Sequence, residues 1–297
     1  MIISRLKFTL VIALVLAAAS TTFAADGDSQ FAKLDGTRIH YKSWGKGKDA
    51  LVLVHGWGCN LNNWRDQIPE FAKRNRVIAL DLPGHGESDK PEKLAYTMDL
   101  FANAIDAVMR DAKVDRAVVM GHSMGTPVAR QFYRKYPQKT LGIVIVDGGL
   151  RPFGTKEMRE QFVAMFHGPN YKEASAQMFS QMTATMAPAD QERVKSSVVS
   201  TPQYVLVSAM ESMNQESLYG PDKINVPVFA ILAKSPFWQA DTEDFFRSLA
   251  PDFEMQWWEG VGHFLMIERP KEFNDAVIAF LNKKALLKES TQQTKGK

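Results

Sequence analysis

Residues 119–125 read VMGHSMG, a small hydroxyl between two glycines directly behind a run of strand formers. Residues 117–120, AVVM, have the β-branched, apolar character of a strand buried on both faces. Residues 126–136, TPVARQFYRKY, read as a helix. Ser123 therefore stands at a strand-to-helix corner. Such a corner needs a tight, strained turn, and glycines two residues before and after it remove the Cβ atoms that would collide there. That is a physical reason for a G-x-S-x-G pattern, and it makes Ser123 a candidate nucleophile.

Outward from this corner, strand-like runs recur at 50–56, 76–81, 116–121, 142–149, 226–232 and 254–260, with helical stretches between them. Continuous apolar strands alternating with helices predict an α/β fold, a mostly parallel central sheet of about eight strands with helices on both faces. Ahead of them, Asp35-Gly36 separates two short alternating runs, the signature of a hairpin, so the sheet is expected to start antiparallel.

Between 150 and 225 the rhythm breaks into helical pieces such as TKEMREQFVAMF and YKEASAQMFSQMTATM, an inserted helical cap. It holds seven of the fourteen methionines, residues that fill irregular apolar space without fixing it. Its seven basic and eight acidic residues offer no selection by charge.

The chain starts with Arg5 and Lys7, continues as a run from Phe8 to Ala19 that is apolar but for Thr9, and reaches small residues at Thr22, Phe23 and Ala24. This is the pattern of a secretory signal peptide over 1–24, too short to span a bilayer, and it predicts an exported, periplasmic or secreted protein without a stable membrane anchor. Cleavage removes two basic and no acidic residues, so the formal net charge falls from +3 to +1. No nucleic-acid partner is suggested. The rest divides into 25–149 and 226–284, two parts of one core, flanking the cap at 150–225, with a polar, flexible tail over 285–297. Cys59 is the only cysteine, so no internal disulfide forms and the thiol reads as a small packed residue. No HExxH, Cys/His cluster or carboxylate array is visible, and neither a cofactor nor a metal is expected.

In open parallel sheets the ligand crevice lies beyond the carboxyl ends of the strands. The informative residues stand there: HGWG after the first parallel strand, DLPGHGES after the second, Ser123 after the third, Asp147 after the fourth, and GVGHF with His263 after the last. With HGW, DLPGHGES, GHSMG and GVGH in this order, residues 30–283 resemble the α/β-hydrolase fold superfamily, in its capped, serine-nucleophile, esterase and haloperoxidase-like branch.

A serine hydroxyl needs a base, and His263, in a glycine-flanked loop, can face Ser123 across the crevice. His40 and His167 lie in the hairpin and the cap. The resemblance gives His55, His85 and His122 structural work in turns. It also implies that the backbone N–H groups of Trp57 and Met124 form an oxyanion hole. The third member departs from the common pattern: where many relatives carry G-x-x-D after the strand at 226–232, this chain has AKSP. Two acids remain. Asp147 ends the strand after the nucleophile's helix, where some relatives place theirs, and it is preferred; Asp241 is the alternative, though DTED before FFRSL reads as a helix N-cap.

A serine in place of an aspartate argues against dehalogenase and epoxide-hydrolase chemistry. The expected function is hydrolysis of carboxylic esters of small to medium apolar substrates through an acyl-enzyme. The alternatives are a lactonase or meta-cleavage-type carbon–carbon bond hydrolase, and, from another class, a ligand-binding or signalling protein that turns over slowly.

Overall fold

The computed structural model describes residues 27–287; the predicted signal peptide and residues 288–297 of the predicted tail lie outside them. Eight strands form one sheet: β1 (Asp28–Leu34), β2 (Thr37–Trp44), β3 (Asp49–Val54), β4 (Val77–Leu80), β5 (Arg116–His122), β6 (Thr140–Val146), β7 (Val228–Ala233) and β8 (Phe253–Trp258). Their order is β1-β2-β4-β3-β5-β6-β7-β8. β1/β2 and β2/β4 pair antiparallel, and every pairing from β4/β3 onward is parallel. The expected mostly parallel sheet with an antiparallel start is what forms.

Local chemistry accounts for these strands. At the β1/β2 turn both central residues have positive φ, +46° at Asp35 and +82° at Gly36, the backbone that matches a tight hairpin to strand twist. β3, β4, β5 and β7 bury nearly every side chain, which is why they read as unbroken apolar runs rather than alternations.

Around the sheet lie α1 (Ile68–Ala72), α2 (Met98–Asp111), α3 (Gly125–Lys135), α4 (Lys156–His167), α5 (Tyr171–Met182), α6 (Pro188–Ser200), α7 (Gln203–Met213), α8 (Thr242–Leu249), α9 (Leu265–Glu268) and α10 (Pro270–Lys283). Thr97 caps α2 by accepting the Leu100 N–H at 3.1 Å, and Thr155 caps α4 in the same way through Met158. The four helices α4–α7 stand between β6 and β7 in the chain. At the far end, Leu286 packs over Gly142 of β6, where an added Cβ would lie 2.9 Å from it.

The loop after β4 is fixed by one buried carboxylate. Asp81 accepts the Leu61 N–H at 2.8 Å and the Glu87 N–H at 2.9 Å, and its Oδ2 lies 2.7 Å from His40 Nδ1. Gly86 is required here, since a Cβ would sit 2.1 Å from the carboxylate carbon. Burial works to raise the Asp81 pKa, but His40, His55 and the two backbone donors outweigh it and hold the carboxyl below its ordinary value. A depressed folded-state pKa contributes stability that is present above the unfolded value, about 3.9, and lost as pH falls through the folded value. Asp81→Asn is therefore expected to lower stability by about 3 kcal/mol near neutral pH. The deficit should begin to shrink below about pH 4, where the unfolded chain takes up the proton, and vanish once the folded carboxyl protonates at lower pH. Denaturant melts across pH check this; a deficit constant with pH contradicts it.

Candidate active site

Ser123 follows the last residue of β5 with φ +53°, a left-handed backbone that costs a non-glycine residue about 1–2 kcal/mol. The turn is held by the Ser123 N–H on Val146 O at 2.9 Å and by the Thr126 N–H on Ser123 O at 2.9 Å. The flanking glycines are obligatory. A Cβ on Gly121 would stand 2.1 Å from the Gly125 carbonyl oxygen, and one on Gly125 would stand 2.5 Å from Val54 O. Strand β5, helix α3 and the end of β3 thus meet at contact distance, and the serine is the side chain left projecting.

Asp147 is the first residue after β6, with φ +42° and 7 % exposure. Its N–H binds Ile231 O at 2.9 Å, its Oδ1 accepts the Ala233 N–H at 2.8 Å, and its Oδ2 lies 2.6 Å from His263 Nδ1. Facing a carboxylate, the neutral imidazole carries its proton on Nδ1, which leaves Nε2 as a base. His263 sits beyond β8 in a loop pinned by the Gly262 N–H on Glu268 Oε1 at 2.8 Å.

The structure separates the two candidate acids. Asp147 meets His263. The Asp241 side chain is 63 % exposed and pairs with the Arg151 guanidinium. Asp241 precedes α8 as expected, but its side chain makes no capping hydrogen bond; the nearby cation outcompetes the helix N-terminus for the carboxylate.

The backbone N–H groups of Trp57 and Met124 flank the same corner and carry no hydrogen bond among the described residues. The Trp57 indole N–H donates to Leu206 O at 2.8 Å and its ring meets Phe166 edge-on, so this side chain ties the loop after β3 to α7 and α4. His55 sets that loop: Nδ1–H donates to Gly56 O at 2.7 Å and Nε2 accepts the Leu82 N–H at 3.0 Å. Burial keeps its pKa below the usual imidazole range, as this donor and acceptor pattern requires.

Sequence reasoning gave His122 only a place in a turn. Its Nε2–H donates to the His263 carbonyl at 2.9 Å, and its ring lies 4.7 Å from the His263 ring. Burial and the neighbouring His263 keep it neutral. Its position beside the serine is the only signal in the chain, and nothing in that signal points to residue 263.

Ser123, His263, Asp147, Trp57 and Met124 line one cavity of about 210 Å³. Much of its lining is apolar, including Met178, Met182, Met210 and Met213 from α5 and α7, and Trp238. Arg151, tied to Asp241, is the one Lys or Arg lining it among the described residues. Cys59 also borders it, but burial pushes its thiol up to about 12, which makes it inert.

The α/β hydrolase fold family profile matches residues 49–182. Over 117 residues, 39 % of this chain, identity is 38 % to the dihydrolipoyllysine-residue acetyltransferase component of the acetoin cleaving system of Cupriavidus necator. Over 121 residues it is 36 % to a 2-hydroxy-6-oxononadienedioate/2-hydroxy-6-oxononatrienedioate hydrolase of Burkholderia vietnamiensis. These matches span only 31 % and 42 % of the relatives' own lengths. Among solved structures, an N-acyl homoserine lactone degrading enzyme superposes with a TM-score of 0.73 at 26 % identity, covering 84 % of this chain and all of that one.

Proposed function

Because this chain is a member of the α/β-hydrolase fold superfamily, we propose that it is a serine hydrolase of carboxylic esters with small to medium apolar groups. The observation that carries the reading is the 2.6 Å contact of His263 with Asp147 in the cavity onto which the strained Ser123 opens. In this reading Ser123 Oγ attacks the acyl carbon while His263 Nε2 takes its proton. Asp147 holds the tautomer and stabilises the imidazolium. Charge developing on the carbonyl oxygen falls to the free N–H groups of Trp57 and Met124, a contribution of about 10²–10³ in rate per donor. His263 returns the proton to the leaving alcohol, and water then releases the acyl group by the same steps. The reading includes export, which rests on residues 1–24 alone.

A lactone is a cyclic ester and follows the same steps, and the similarity to a lactone-degrading enzyme favours including lactones among the substrates. The test is a series of activated esters from acetyl to dodecanoyl, with a succinyl ester and an acyl homoserine lactone alongside. Each methylene that packs on the apolar lining adds about 0.8 kcal/mol, roughly fourfold in kcat/KM, until the cavity is full. The series should rise, peak at medium length and fall, with the succinyl ester slowest. A succinyl ester faster than its neutral counterpart overturns the substrate class; absence of turnover by folded protein moves the reading to a carbon–carbon hydrolase or a ligand-binding protein.

A further inference from the structure

A second serine, histidine and aspartate are joined in series across the β1, β2 and β4 side of the sheet, with Ser29 on the edge strand β1, His40 on β2 and Asp81 directly after β4, and with β3 between β4 and the strand that leads to Ser123. Ser29 Oγ on β1 lies 2.7 Å from His40 Nε2, and His40 Nδ1 lies 2.7 Å from Asp81 Oδ2. The hairpin register makes the first contact, because Phe31 pairs with His40 and Ser29 is two residues along on the same face.

Polarity along this chain follows from Asp81. Its two oxygens already accept backbone N–H groups from Leu61 and Glu87, so it is an ionised acceptor. The neutral His40 ring must then donate from Nδ1, and Nε2 is left to accept the Ser29 hydroxyl proton. His40 and Asp81 are 1 % and 2 % exposed, whereas Ser29 is exposed. The ring is held by Phe31 at 5.2 Å and by its own backbone N–H on Ser88 Oγ at 2.8 Å. Glu87 Oε2 lies 3.9 Å from Nε2. Satisfying a buried ring nitrogen needs only a polar partner; here the partner is a nucleophile open to solvent, backed by an oriented base.

We propose that Ser29 is a second acylation site, a surface serine that takes one acyl group from an activated ester. Ser29 Oγ bonds to the acyl carbon, the bond from that carbon to the leaving oxygen breaks, and the alcohol or phenol departs. The Ser29 proton passes to His40 Nε2, beside Asp81, and from there to the leaving group. General base assistance contributes about 10²–10⁴ in rate.

The inference does not depend on the role of Ser123, and the test removes that residue. The full chain carrying Ser123→Ala is exposed to para-nitrophenyl acetate and its serine acetylation mapped by mass. Ser29 should be acetylated about a hundredfold faster than the other exposed serines, with the gain lost in His40→Gln. Acetylation of Ser29 at the rate of the other exposed serines overturns the proposal. Since His40 is buried and its variant can fail to fold, Ser29→Cys supplies a second readout. The introduced thiol, beside an imidazole, should react with iodoacetamide at least about tenfold faster than glutathione at neutral pH. Equal reactivity overturns the proposal as well.

Discussion

Ser123→Ala is expected to lower ester turnover by about 10⁶-fold with no loss of fold, the scale of effect seen when a serine nucleophile is removed from a unit that acts together. The Cβ stays, so the contacts of Gly121 and Gly125 around it are untouched. A small gain in stability is compatible with the account, because alanine and serine bear the same strain at φ +53° and alanine has no hydroxyl to solvate. Residual catalysis of about 10³-fold over water should remain from the oxyanion donors and binding. Steady-state kinetics with a medium-chain ester, together with circular dichroism of the variant, check both halves.

Asp147→Asn carries the second largest effect, about 10⁴-fold in kcat. The geometry gives the reason. Oδ1 must keep accepting the Ala233 N–H, so the asparagine oxygen takes that side and its amide NH₂ faces His263 Nδ1. A donor there forces the imidazole proton onto Nε2. The base then points a proton at Ser123 instead of a lone pair. Asp241→Asn should leave turnover near wild type, because that side chain is exposed, pairs with Arg151, and is not among the residues lining the cavity. An inactive Asp241→Asn beside a fully active Asp147→Asn contradicts the assignment.

Much of this arrangement was legible in the chain because strand ends and glycines leave strong signals. β3 to β7 are apolar runs, and a strand buried on both faces has no other way to be written. The glycines at 121 and 125 report a backbone contact directly, since no other residue fits within 2.1 Å and 2.5 Å of a carbonyl oxygen. The acid was not legible to the same degree. Asp147 and Asp241 both end segments that reach the top of the sheet, and only the path of the His263 loop decides which one meets the ring. Asp241 stands at the N-cap position of α8 as read, but its carboxylate makes no capping bond because Arg151, 90 residues away, captures it.

The cap was legible as helical, but the bounds of α6 and α7 within it were not. α6 contains SSVVS and α7 contains YVLVS, β-branched and serine-rich stretches that weigh against helix on propensity, and packing against the loop after β3 decides their form. Thr201 and Ser197 touch Gly58 O, and Leu206 O accepts the Trp57 indole N–H. The Ser29, His40 and Asp81 series was invisible for a related reason. Its members are 11 and 41 positions apart and meet only through the register of the hairpin and the loop after β4.

The central claim is that Ser123 forms the covalent intermediate. Titration of the protein with a fluorophosphonate, with intact mass and peptide mapping read against remaining ester turnover, tests it most directly. The account predicts one adduct on Ser123 and loss of turnover in proportion to it. Turnover that survives complete modification of Ser123, or inactivation with Ser123 unmodified, contradicts it.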